Sequence, residues 1–341
     1  MPEALLTREA AEAAEVAARQ ISTNADAMAQ LGEQLRRRKP AFIATCARGS
    51  SDHAMTYGKY LLERTLGLPV ASLGPSLASV YGEELDLSGA VFIAASQSGR
   101  SPDALQLTET ARRGGALTVG LINDMDSPLA ALVDVALPLA AGPETSVAAT
   151  KSFLATGIAL LHLAAAWSCD RGLADTLVRS PELLRQAGLC DWSPFFRRLE
   201  NATSLYVIGR GLGLGIAQEM ALKFKETCRI HAEAFSAAEV LHGPLALVGP
   251  GFPALVLDPA DEGSESTLSI ARTFAGLGAD IAYAGSDVVP GIALPVPAES
   301  PAALMPLLQA RAFYGGIAAL AAARGLDPDR PPHLRKVTQT L

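Results

Sequence analysis

Four short apolar runs in the first half of this chain are answered, in the same order, by four in the second half. Ala41 to Cys46 pairs with Ser204 to Gly209, Ala90 to Ala95 with Phe252 to Leu257, Thr118 to Ile122 with Asp280 to Ala284, and Val133 to Leu139 with Ile292 to Val296. The offset is about 160 residues throughout, which marks an internal duplication. Helical patterns separate the runs, over Asp52 to Leu66, Pro102 to Arg113 and Val147 to Trp167, then Leu212 to Arg229, Ser264 to Gly276 and Pro301 to Ala323. Short apolar strands alternating with helices predict parallel sheets joined by right-handed crossovers. The expected fold is therefore α/β, two similar domains, each a parallel sheet flanked by helices in a three-layer sandwich.

At 341 residues the chain has room for two domains of ordinary size. We expect a helical segment over 1–39, a first domain over 40–170, a linker over 171–195, a second domain over 196–329 and a tail over 330–341. The linker expectation rests on its polar composition and on Pro181, Gly188 and Pro194. Arg36, Arg37, Arg38 and Lys39 form the one dense basic run, placed where cations offset the dipole at a helix end. With a net charge of −7 the chain is a poor partner for nucleic acid. Phe153 to Trp167 is too short for the roughly 20 residues of a membrane span and predicts a buried helix. Four scattered cysteines without a CxxC pair predict free thiols in a cytoplasmic protein and no zinc framework.

Two strand ends carry polar loops. Ala90 to Ala95 opens into Ser96, Gln97, Ser98, Gly99, Arg100 and Ser101, ahead of a helix beginning at Pro102. Ala41 to Cys46 leads to Arg48, Gly49, Ser50, Ser51 and Asp52. Hydroxyls and backbone amides at helix N-termini suit a phosphate, and two such loops in one sheet can converge on one ligand. The competing reading is that the serines only cap helices and fill turns. In the second half, Glu219, Lys223 and Glu226 fall on one helix face. They form either a surface ion pair or a general base held ionised by a basic neighbour. His242, before Gly243 and Pro244, is expected in a loop ahead of the apolar run Leu245 to Val248. The dinucleotide, P-loop and serine-hydrolase motifs are missing. His231 and Glu233 lack the cysteines of a zinc deaminase.

Six segments in order carry a resemblance: GSS at Gly49 to Ser51, SQSGRS at Ser96 to Ser101, ETSVAATKSF at Glu144 to Phe153, ALKFKE at Ala221 to Glu226, HAEAFSAAEVLHGPLAL at His231 to Leu247, and HLRK at His333 to Lys336. Over residues 40 to 341 the chain resembles the sugar isomerase (SIS) superfamily. It is most similar to the isomerase half of glucosamine-6-phosphate synthase and its stand-alone relatives, among them the SIS-type glucosamine-6-phosphate deaminases. The resemblance implies a sugar phosphate held by Gly49, Ser51, Ser96, Gln97, Ser98 and Ser101, with Glu144 and Val147 touching the sugar. It implies Glu226 as the base between C1 and C2, Lys223 beside it, His242 assisting ring opening from across a homodimer interface, and Lys336 as a Schiff-base lysine. No metal or redox cofactor is implied.

The match departs from the synthase in three places. Met1, Pro2 and Glu3 stand where a glutaminase domain would begin, so glutamine is not the expected nitrogen donor. Ala149 replaces a serine of the sugar site, and Arg100 replaces a glutamate. The expected activity is therefore glucosamine-6-phosphate deamination to fructose 6-phosphate and ammonium. The alternatives are a fructosamine-6-phosphate deglycase, another phosphosugar aldose-ketose isomerase, or a non-catalytic sugar-phosphate sensor.

Overall fold

The computed structural model describes residues 3–286 and 289–336. Its strands are β1 Phe42–Cys46, β2 Val70–Ser72, β3 Ala90–Ser96, β4 Leu117–Ile122, β5 Val135–Pro138, β6 Ser204–Gly209, β7 His231–Ser236, β8 Pro253–Leu257, β9 Asp280–Ala284 and β10 Ile292–Leu294. They form two five-stranded sheets, ordered β2-β1-β3-β4-β5 and β10-β9-β8-β6-β7, and every pairing is parallel. Counted from its own first strand, each sheet has the order second, first, third, fourth, fifth. The duplication in sequence is thus a duplication of topology. In such a sheet the connections leave in opposite directions on either side of the first strand, opening a crevice at the strand carboxyl ends. That crevice lies between β1 and β3 in one sheet and between β6 and β8 in the other.

Each sheet is the centre of a compact unit. The first comprises Glu15–Glu144, Ala155–Val178 and 335–336, the second 3–14, Thr145–Leu154 and Arg179–Leu334. In the first unit Ala44, Cys46, Phe92 and Ala94 pack with Leu107 and Ala111 of the helix Pro102–Arg113. The alternate residues Ile43, Val91 and Ile93 point to the opposite face and are equally buried. Burial on both faces is why these strands read as unbroken apolar runs. In the second unit Tyr206, Ile208, Val256 and Tyr283 pack with Ile270 and Phe274 of the helix Ser264–Gly276. There Phe224 of the helix Gly213–Cys228 meets Phe313 of Met305–Ala323 edge to face at 5.1 Å.

Eight strands sit where the apolar runs predicted them. The two unforeseen strands, β2 and β7, are both edge strands. β2 is three residues long, and β7 alternates exposed His231 and Glu233 with buried Ala232. The basic run Arg36 to Arg38 closes the helix Ala13–Arg38 as expected. Phe153 to Trp167 lies in the helix Lys151–Ser168, which begins four residues later than its pattern and is buried nearly all round. Leu160 of that helix occupies the space beside Gly58 of Ser50–Leu66, so a Cβ at Gly58 would collide with it. Among the described residues no helix is long and apolar enough to cross a membrane. Residues 171–187 are helical, with Pro181 inside the helix. The run Leu245 to Val248 is no strand: Pro244–Leu247 is one turn of 3-10 helix with Leu247 67% exposed.

Candidate active site

In the first unit, β1 and β3 are direct neighbours, with Cys46 opposite Ala94. Their loops therefore leave the sheet side by side, at the crevice. Gly49 sits ahead of the helix Ser50–Leu66 with φ 56° and ψ −133°, a conformation closed to ordinary L residues. A Cβ there would meet no atom within 4 Å, so the demand for glycine is conformational and the space above the backbone is open. The second loop holds its own shape. Ser96 Oγ accepts a hydrogen bond from the Gly99 amide at 2.9 Å, and Ser98 Oγ accepts one from the Arg100 amide at 3.3 Å. Ser101, at the helix N-cap, makes no side-chain cap bond. The turn-filling reading thus holds for Ser96 and Ser98, whose oxygens retain a second lone pair. It does not describe Ser101. Gln97 and Ser51 are half-buried beside them.

A salt bridge joins the first loop to the helix that follows the second. Arg48 donates from Nε to Asp103 Oδ2 at 2.8 Å and from Nη2 to the same oxygen at 2.7 Å, and the Asp103 side chain is wholly buried. No sequence pattern announced this pair. Arg100, at the end of the second loop, binds the Asp124 carboxylate through its guanidinium at 2.8 Å on the surface. That hydrogen bond holds Asp124 below the usual aspartate range. Asp52, in the first helical turn, is pushed up by burial against the smaller opposing influence of His53 and Arg48. Cys46, beneath the loop, is pushed up to about 12 by burial and then by the charge of Asp103, so it is a packing residue and no nucleophile. In the same unit Lys336 Nζ lies 2.9 Å from Oε2 of the buried Glu144.

The second unit holds the charged cluster of the helix Gly213–Cys228. Lys223 Nζ lies 3.2 Å from Glu219 Oε1 and 2.7 Å from Glu226 Oε2. The Glu219 and Lys223 side chains are wholly buried and Glu226 is 18% exposed, so the surface ion pair is overturned. Burial opposes the lysine charge, but the carboxylates, Glu219 ahead of Glu226, outweigh it and raise its pKa. Tyr314 donates its hydroxyl to Glu219 Oε1 at 2.9 Å. Glu226 is the cluster's opening to solvent, in a cavity it shares with Leu222, Lys225, Arg229, His333 and Leu334. His242 does not line that cavity. It ends a 3-10 turn, Glu239–His242, on an exposed surface beside Leu241. Val147 is placed by backbone, its amide donating to the Asp329 carbonyl. The loop at its front is shaped by Glu9, whose carboxylate accepts from the Thr145 and Ser146 amides. Glu12 pairs with the buried Lys151 at 2.7 Å. Both acids lie in the amino-terminal segment, whose composition suggested no such role.

Comparison with known proteins bears on the family and the fold. The family model described as the SIS domain matches residues 35–166 and 198–283. The isomerizing glutamine-fructose-6-phosphate aminotransferase of Aeropyrum pernix is 37% identical over 312 residues, covering 84% of this chain and 49% of its own length. That of Thermotoga maritima is 33% identical, covering 86% and 50%. The chain thus spans about half the length of the curated relatives it matches. Among solved structures, a candidate phosphosugar isomerase from Silicibacter pomeroyi is 43% identical with a TM-score of 0.92, over 96% of this chain and all of that one. A glucosamine-6-phosphate deaminase from Thermotoga maritima has a TM-score of 0.73 over 95% of this chain and 100% of that one, and at 21% identity it speaks to the fold alone.

Proposed function

Because the chain belongs to the SIS domain family, we propose that it is a phosphosugar enzyme that moves a proton between C1 and C2, and specifically a glucosamine-6-phosphate deaminase. The observation that carries the reading is the lysine-bridged carboxylate pair in which only Glu226 reaches solvent. The buried Lys223 ammonium donates to Glu226 Oε2 at 2.7 Å and so removes the freedom of that carboxylate to turn away from the cavity. In this reading Gly49, Ser51, Ser96, Gln97, Ser98 and Ser101 hold the 6-phosphate through hydroxyls and backbone amides at the first crevice. Glu144 and Val147 orient the sugar.

His242 passes a proton to open the pyranose, and its exposed turn suits delivery to a partner subunit in a homodimer. Glu226 then takes the C2 proton and returns it at C1, converting the aldehyde of the 2-amino sugar into an imine at C2. Water hydrolyses the imine to fructose 6-phosphate and ammonium. Lys223 offsets negative charge developing on oxygen, and Lys336, once parted from Glu144, offers an amine to the carbonyl.

The test is release of ammonium and fructose 6-phosphate from glucosamine 6-phosphate, with no glutamine added. Stoichiometric release of both supports the proposal, and Glu226→Gln is expected to lower turnover by about 10²–10⁴-fold. A protein that binds phosphosugar yet releases neither product is no deaminase of this sugar. A second reading, the fructosamine-6-phosphate deglycase, is supported by Lys225 and Arg229 at the Glu226 cavity, where a carboxylate on the substrate's amine would meet cations.

A further inference from the structure

The two helices behind the serine loops each carry a carboxylate in the first turn, Asp52 in Ser50–Leu66 and Asp103 in Pro102–Arg113. An acid at that position offsets the positive helix end. The same ends are where the loops offer amides and hydroxyls to a phosphate, so each carboxylate opposes the anion it sits behind. Asp103 poses the larger conflict, because its side chain is wholly buried and a buried charge is screened little by water or salt. It follows Ser101 by two residues. Its Oδ1 accepts from the Ala104 amide at 2.8 Å, which fixes it at the helix end.

The remaining oxygen is taken by Arg48. Nε and Nη2 both donate to Asp103 Oδ2, at 2.8 and 2.7 Å, from a half-exposed side chain at the entry to the first loop. The guanidinium also bears on Asp52: burial raises that carboxyl's pKa, and His53 and Arg48 oppose the rise. Arg100, the other cation of the loops, is engaged with Asp124. Among the described residues Asp103 is the one ion-pair partner of Arg48. The unit therefore sets a single guanidinium against the two carboxylates that stand behind the candidate phosphate site.

We infer that Arg48 is a positioning residue of that site: it holds and neutralises the buried Asp103 carboxylate, so that the helix end behind Ser101 stays open to an anion. Its action runs through Asp103 and not through a contact with the phosphate. The inference rests on the reading of the serine loops as the seat of the 6-phosphate and adds the charge balance that this reading needs. Two substitutions separate the charge from the tie. Arg48→Gln leaves the carboxylate uncompensated. Asp103→Asn removes the carboxylate, keeps an oxygen to accept from the Ala104 amide, and frees the guanidinium.

The experiment is titration calorimetry with fructose 6-phosphate on the wild-type chain, the two single variants and the double variant, each shown to be folded by circular dichroism. Arg48→Gln should weaken binding about tenfold. Adding Asp103→Asn to it should restore affinity to within about threefold of wild type, and Asp103→Asn alone should bind at least as tightly as wild type. A salt bridge that only braced the fold would be broken equally by either substitution. An arginine that touched the phosphate would leave the double variant as weak as Arg48→Gln. Either result overturns the inference, as does an Arg48→Gln affinity equal to wild type. Should Arg48→Gln fail to fold, the double variant decides: affinity within about threefold of wild type supports the inference, and a loss of about tenfold overturns it. A folded wild-type chain that binds no fructose 6-phosphate removes the phosphosugar reading with it.

Discussion

The crevice between β1 and β3 and the crevice between β6 and β8 occupy the same place in two sheets of the same topology, and their chemistry is opposite. The first is rimmed by Ser51, Ser96, Gln97, Ser98 and Ser101. The second has Asp258, Asp261 and Glu262 after its third-ordered strand. Asp258 is buried and internally satisfied, accepting from the Ala260 amide at 2.9 Å and from the Ser264 hydroxyl. Arg210, the one cation in that position, donates to Ser236 at 3.1 Å. The first set offers hydroxyls and amides suited to an anion, and the second offers carboxylates that would repel one. The second unit instead carries its charged cluster along a helix, where burial acts on Glu219 and Lys223. Duplication copied the scaffold, and the side chains at the strand ends decide what each copy can bind.

The comparison breaks most visibly at Lys223. Lys223→Met leaves Glu219 and Glu226 facing each other without the ammonium, and about 3–5 kcal/mol of stability should be lost. Denaturant unfolding measures this, and a loss below about 1 kcal/mol would mean the carboxylates relax into solvent. The two crevices are contrasted directly by hydroxyl deletion. Ser101→Ala should weaken fructose 6-phosphate binding about ten- to hundredfold, as expected for one hydrogen bond to a charged group. Ser264→Ala should leave it unchanged, and equal effects from the two variants would erase the distinction drawn here.

The smallest effect concerns Asp52 and its pH dependence. Its folded pKa is raised, so the folded state holds the proton more tightly than the unfolded chain. That contribution is present at low pH and is lost as pH rises through the folded value. Asp52→Asn should therefore raise the melting temperature by about 1–3 °C at neutral pH, and the gain should shrink as pH falls into the aspartate range. A gain that grows toward acid would reverse the sign and show the carboxylate to be stabilised when ionised.

Strands buried on both faces announce themselves as apolar runs, so eight strands and the duplicated order were legible in linear sequence. The edge strands β2 and β7 were hidden because an edge needs little apolar material. The serine loops were legible because strand, loop and helix start are contiguous. Glu219, Lys223 and Glu226 were legible as one helix face, but not as buried, because the covering residues come from elsewhere. Tyr314, which holds Glu219, lies 95 residues along the chain. Arg48 and Asp103 are 55 residues apart, and Glu9 reaches the Thr145 loop across 136.

Local periodicity and loop composition are properties of neighbouring residues, and from them followed the α/β class, the duplication, and the residues that offer hydroxyls, amides and carboxylates. Folding added what depends on partners distant in the chain: the covering that buries Lys223, whose charge Glu219 and Glu226 uphold against that burial, the salt bridge from Arg48 to Asp103 in the helix after the second serine loop, and His333 beside Glu226. The physical reason is that desolvation and Coulomb interaction depend on what surrounds a group in space. For these residues that surrounding is assembled only when segments far apart in sequence are packed against one another.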